Sequence, residues 1–140
     1  EERVVLDVGG DDRGALALGR YAGELLRMGG YENLFVVNFF RPRSQTPEDA
    51  LSLLREVETA SGLPVTALVH NSNLGLSTTA AHIRGAMERM DALSQITKLP
   101  VAFTAVQISL SGEPELQAIQ PLWLMQESPD RCWRNARAVV

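Results

Sequence analysis

Three times the sequence runs a short β-branched and aliphatic stretch into one polar residue, then through a glycine- or proline-marked loop into an amphipathic helical pattern. The stretches are Val4-Val5-Leu6-Asp7, Leu34-Phe35-Val36-Val37-Asn38 and Val65-Thr66-Ala67-Leu68-Val69-His70-Asn71. Continuous apolar runs of this length, alternating with helices, predict buried strands of a parallel sheet. The carboxyl ends of such strands lie along one edge, where open α/β sheets bind ligands. Asp7, Asn38 and Asn71 are therefore expected to converge there.

The intervening patterns predict the helices. Asp11 or Asp12 can accept the free amides of a first helix, whose apolar positions Leu16, Tyr21, Leu25 and Leu26 continue to Gly29-Gly30. Thr46-Pro47-Glu48-Asp49 sets a cap residue, a proline in the first turn and two dipole-favoured acids in a row, so a second helix starts there. Its inner face is Ala50, Leu51, Leu53, Leu54 and Val57, and Ser61-Gly62 before Pro64 ends it. A third helix near 78–95 buries Ile83, Ala86, Met87, Met90 and Leu93, and Pro100 introduces a strand at Val101–Val106. Beyond it, Pro114, Pro121 and Pro129 break the pattern into a short helix at Glu113–Gln120 and a last strand at Leu122–Met125. The expected fold class is α/β: a three-layer, mostly parallel sheet with helices on both faces. The 140 residues form a single domain or the C-terminal part of one.

Composition narrows the function. With 45 % hydrophobic residues the chain can build a core, and no apolar window approaches the length that spans a bilayer. A net charge of −4 without any dense Lys/Arg cluster gives nucleic-acid binding no support. Cys132 is the only cysteine, so no internal disulfide forms and a reducing, cytoplasmic setting fits. The start at Glu1-Glu2-Arg3 has no signal-peptide pattern and suggests the continuation of a longer polypeptide.

The strand ends carry the chemistry. In Asp7-Val8-Gly9-Gly10 a carboxylate can face a hydrated magnesium ion while glycine amides approach a terminal phosphate. The same string also suits a helix cap followed by a turn, and both readings stand. In His70-Asn71-Ser72-Asn73-Leu74-Gly75, a side-chain amide offers the donor and acceptor that read a purine edge, or else satisfies turn amides. Arg41 and Arg43 follow the second strand and can pair with phosphate or stay solvated. Phe39, Phe40, Trp123 and Trp133 can stack on a base, cover a partner or pack internally. His70 and His82 lack carboxylates at ligand spacing, and no Gly-x-Ser-x-Gly elbow appears.

Taken in order, these segments resemble the second half of the P-loop ATPases of the MinD/ParA/CobQ type, which include the nitrogenase iron protein. The strings DVGGDDRGALALGRY, FVVNFFRP and NSNLG carry the likeness, over roughly residues 3–106. The resemblance implies a P-loop NTPase (Rossmann-like) sheet, with Asp7 as the Walker B carboxylate on Mg2+ and Gly9-Gly10 near the γ-phosphate. It further implies Asn71 on adenine, with Asn38, Arg41 and Asn73 lining the ATP site. Asn71 is followed by Ser72-Asn73 rather than Lys-x-Asp, so guanine specificity is not implied. The chain has no Gly-x-x-x-x-Gly-Lys-Ser/Thr, and its one lysine, Lys98, stands before a strand. In the resembled fold the P-loop strand lies beside the Walker B strand, so its removal leaves a gap at the sheet centre. An upstream P-loop segment, or a homodimer partner, is therefore expected to complete the nucleotide site, and ATP hydrolysis depends on it. Two rivals remain: a non-catalytic α/β interaction module, and a flavodoxin- or receiver-like domain. A receiver needs an acidic pocket beside the first strand and a late-strand lysine that this sequence lacks.

Overall fold

The computed structural model of the protein describes residues 4–9 and 12–126. Cys132 and Trp133 lie outside them. Two short helices, α1 (Asp12–Gly19) and α2 (Ala22–Met28), precede strand β1 (Leu34–Val37). Helix α3 (Pro47–Ser61), strand β2 (Ala67–His70), helix α4 (Ala80–Thr97) and strand β3 (Val101–Gln107) follow. Two 3-10 turns then lead to strand β4 (Leu122–Met125). The four strands form one sheet in the order β1-β2-β3-β4, and every neighbouring pair is parallel.

The capping chemistry legible in the sequence sets the helix limits. Thr46 Oγ1 accepts from Asp49 N–H (3.1 Å) while the Asp49 carboxylate accepts from Thr46 N–H (3.3 Å), a capping box completed by Pro47 in the first turn. Gly62, with φ 68°, closes α3 in the left-handed conformation that glycine adopts without a Cβ clash. Thr79 caps α4 in the same manner, with His82 in the place of the usual glutamate. Lys98 is the left-handed C-cap residue of α4, in keeping with a connector rather than a phosphate-holding role.

Register explains the core. Phe35 and Val37 of β1 lie level with Leu68 and His70 of β2, and Leu68 with Val101 of β3, so these side chains share one face. On that face Phe35, Val37, Leu68 and Val101 pack with Ala50 and Leu54 of α3 and with Ala86, Met90 and Leu93 of α4. A second cluster joins Ala80 and Ile83 of α4 to Val106, Leu116 and Ile119. Fully burying side chains of this size stabilises the fold by about 1.5–3 kcal/mol each.

The structure departs from the sequence-based expectation in four places. Residues 4–9 form no strand: Val4, Val5 and Leu6 are exposed, Val5 by 93 %. The described strands are contiguous, so no gap opens inside the sheet. The first helical stretch breaks at Arg20-Tyr21, and Leu16, Tyr21 and Leu26 are exposed while Ala15 and Ala22 are buried. Small residues win there because the helices meet closely: a Cβ added at Gly19 would come within 3.2 Å of the Ala60 carbonyl oxygen. Finally, α3 and α4 share one face of the sheet, whereas Leu34 and Val36 of β1 and Trp123 and Met125 of β4 stay exposed on the other. Among the described residues, no second helical layer covers these four. The Phe103 and Trp123 rings meet across β3 and β4 at 5.4 Å between centroids.

Candidate functional site

The carboxyl edge of the sheet is built from the loops after β1 and β2, and a connected set of hydrogen bonds fixes them to each other. Asn38 Nδ2 donates to the Asn73 carbonyl oxygen (3.0 Å), and Phe40 N–H donates to Asn38 Oδ1 (3.0 Å). Ser72 Oγ, buried, accepts from Phe39 N–H (3.0 Å), and Ser44 Oγ donates to the Asn38 carbonyl oxygen (2.7 Å). Asn73 Nδ2 donates to the carbonyl oxygen and to Oδ1 of Asn71, while Asn73 Oδ1 accepts from Gly75 N–H. Beyond them, Thr78 Oγ1 accepts from Leu74 N–H and donates to the Gly75 carbonyl oxygen, to which Gln107 Nε2 of β3 also donates.

The expected site residues therefore divide. Asn38, Asn71 and Asn73 come together, as the parallel sheet requires. Both polar atoms of the Asn38 and Asn73 side chains serve the loops, the turn-stabilising role that asparagine plays through its paired donor and acceptor. Asn71 is different. The residue is partly buried, its Oδ1 is fixed by Asn73, and among the described residues its Nδ2 has no partner, leaving a donor at the sheet edge. Arg41 belongs to the same loop through its N–H to the Asn38 carbonyl oxygen (3.1 Å), and its exposed guanidinium has no partner among the described residues. Arg43 is paired with Glu56 and is not available.

Asp7 is exposed and stands outside the sheet, with no hydrogen bond or ion pair to the asparagines among the described residues. Gly9 lies against α1, where a Cβ at Gly14 would meet its carbonyl oxygen at 2.6 Å. Gly10 lies outside the described residues. Among the described residues no three His, Cys, Asp or Glu side chains form a metal-holding group. Magnesium keeps most of its water and takes one or two carboxylates together with phosphate oxygens. Asp7 alone does not make a resident magnesium site.

The structure adds residues that the sequence left in the background. His70 is fully buried at the end of β2, and neither ring nitrogen has a hydrogen-bond partner. Burial, with the Arg89 guanidinium as a lesser cause, pushes its pKa down from the ordinary 6.5 to about 4, so the imidazole is neutral near pH 7. Arg89 lies over the Phe39 ring (5.2 Å to the centroid) and the Phe40 ring (5.6 Å), and its Nη1 donates to the Gln45 carbonyl oxygen (3.1 Å). The His82 ring meets Phe40 nearly edge-on at 5.7 Å. Nothing local in the sequence signals the burial of His70.

A shallow groove of about 720 Å³ lies elsewhere, between α1 and the last turn of α3, lined by Arg13, Leu16, Arg20, Thr59 and Ser61 among others. It has none of the asparagine network, and the sheet edge remains the better site on chemical grounds. No helix of the described residues is long and apolar enough to cross a membrane. No family model, no curated protein and no solved structure matches this chain.

Proposed function

We propose that the chain is the base-binding portion of an ATP-binding domain of the MinD/ParA/CobQ-like type, with the three-layer P-loop sheet completed by a phosphate-holding segment or by a second copy. The observation that carries this reading is the free Nδ2 of Asn71, held at the carboxyl edge of a parallel sheet by Asn73. An oriented amide donor at such an edge suits the acceptor nitrogens of adenine. The unpaired Arg41 guanidinium on the adjoining loop supports an anionic ligand. Hydrolysis in this reading requires a P-loop, which residues 1–140 do not contain. In this reading Asp7 would supply one carboxylate to a magnesium ion bound to the nucleotide phosphates.

Calorimetry on the 140-residue chain tests the assignment of parts: ATP binding is weak or undetectable, because the loop that anchors the phosphates is missing. Micromolar affinity would mean that a different phosphate cradle exists. In a polypeptide carrying the P-loop, Asp7→Asn weakens magnesium-dependent nucleotide binding without shifting the melting temperature. An unchanged affinity there removes Asp7 from the site.

One observation favours a second reading, an α/β module that binds a protein partner: the uncovered apolar residues Leu34, Val36, Trp123 and Met125. Substituting them with polar residues abolishes partner binding under that reading and leaves nucleotide binding unaffected under the first.

A further inference from the structure

We infer that Phe40 is the stacking surface for the planar base of the ligand, an inference that rests on the nucleotide reading above and names the residue that holds the base from its π-face. Two adjacent phenylalanines follow Asn38, and the structure separates their roles. Phe39 is 1 % exposed and belongs to the main core cluster. Phe40 is only partly buried and keeps a minor part of its surface in solvent.

A partly exposed aromatic ring is useful to a ligand only if it is already fixed, and Phe40 is held from several directions. Its N–H is bound by Asn38 Oδ1, Arg89 braces its ring, and the His82 ring abuts it. Arg89 is itself tied to Phe39 and to the Gln45 carbonyl oxygen, and His82 to the Thr79 N–H. A ring immobilised before binding loses little conformational freedom when a base stacks on it.

The ring also stands in a fixed relation to the free amide. From Phe40 N–H to Asn38, from Asn38 to Asn73, and from Asn73 to Asn71, three successive hydrogen bonds of 3.0 Å link the two. Asn71 then reads the edge of the base and Phe40 covers its face, the division of labour by which proteins hold unpaired bases. Arg41, next in sequence, stands ready for the anionic end of the same ligand.

The test uses the 140-residue chain with millimolar adenosine and, separately, ribose 5-phosphate, followed by NMR. Adenosine is expected to shift the amides of residues 38–41 and 71–73 and to show upfield ring-current shifts of its own base protons. Phe40→Leu is expected to weaken adenosine binding about ten-fold, the scale of one base–aromatic stack, in a variant whose NMR spectrum shows the native fold, with Phe40→Tyr restoring it. Ribose 5-phosphate binding does not respond to either variant. Adenosine binding by Phe40→Leu equal to that of the parent chain, with the Asn71 shifts intact, overturns the stacking role alone. A parent chain indifferent to both adenosine and ATP overturns the base-binding reading along with it.

Discussion

Asn73 holds Asn71 by two hydrogen bonds from a single amide group, 3.1 Å to the Asn71 carbonyl oxygen and 3.0 Å to its Oδ1. The second bond fixes the side-chain flip of Asn71, so its Nδ2 points away from Asn73 and remains a donor. One residue maintains the loop and the other presents a polar group.

That division predicts opposite behaviour for two similar substitutions. Asn73→Ala removes the bonds to Asn71 and to Gly75 N–H and is expected to destabilise the chain by about 1–2 kcal/mol. Asn71→Ala is expected to leave stability within about 0.5 kcal/mol and, in a polypeptide with a P-loop, to reduce the preference for adenine over guanine nucleotides. Urea titrations and parallel ATP and GTP titrations check the pair; equal losses of stability with unchanged nucleotide preference would make both residues turn elements.

His70 predicts a pH dependence. The unfolded chain takes up a proton near the ordinary pKa of 6.5, whereas the buried imidazole does so only near 4. Above 6.5 neither state is protonated and the ionisation of His70 contributes nothing to stability. As pH falls from 6.5 towards 4 the unfolded state gains the proton first, and stability drops by on the order of 3 kcal/mol. Below that window His70 contributes no further loss. Urea unfolding at pH 7, 5.5 and 4.5, compared with His70→Leu, isolates the effect, since the variant lacks this slope. Leucine also removes an imidazole whose two nitrogens are buried without partners, so the variant is expected to be at least as stable at pH 5.

Thr46→Ala breaks the capping box at the start of α3 and is expected to cost about 1 kcal/mol. Thr46→Asp retains an acceptor for the Asp49 N–H and recovers much of the loss. Denaturant midpoints of the three proteins, at constant m-value, report the difference.

The uncovered sheet face gives a contrast within one strand. Val36 is 56 % exposed while its neighbour Phe35 is buried in the core. Val36→Asn is expected to change stability by less than about 0.5 kcal/mol, whereas Phe35→Ala costs about 3–5 kcal/mol. A large loss on Val36→Asn, growing with protein concentration, would show that the face is covered by another copy in solution.

Much of this architecture was legible because local chemistry and global packing agree. Thr46-Pro47-Glu48-Asp49 and Ser61-Gly62 delimit α3 within a residue, and Leu122–Met125 forms the final strand despite the prolines around it. The failures have a common cause. The run Val4-Val5-Leu6 has strand composition, but strand formation needs a neighbour, and composition does not say whether one is present. The spacing of Leu16, Tyr21 and Leu26 describes a helix face well, yet close approach to Ala60 and Ser61 selects the small residues Ala15, Gly19 and Ala22 instead. At the site, the convergence of Asn38, Asn71 and Asn73 followed from the parallel topology. Which amide stays free depended on loop hydrogen bonds that residue type does not encode.

The separation of the core into two clusters predicts that the molecule opens in stages. Helix α4 and strand β3 contribute to both, Ala86, Met90 and Leu93 with Val101 to one, and Ala80 and Ile83 with Val106 to the other. Among the described residues, the segment from the 3-10 turns through β4 is attached through the smaller cluster, the edge of β3, the Phe103–Trp123 ring contact and one hydrogen bond from Arg84 to the Glu115 carbonyl oxygen, and not through the main cluster. It can detach while Phe35, Leu54, Leu68 and Met90 stay packed, at a free energy below that of global unfolding. Backbone amides of β4 would then exchange with solvent faster than those of β2, and the β3 edge would be intermittently bare, a strand-accepting surface that exists only in the partly opened chain.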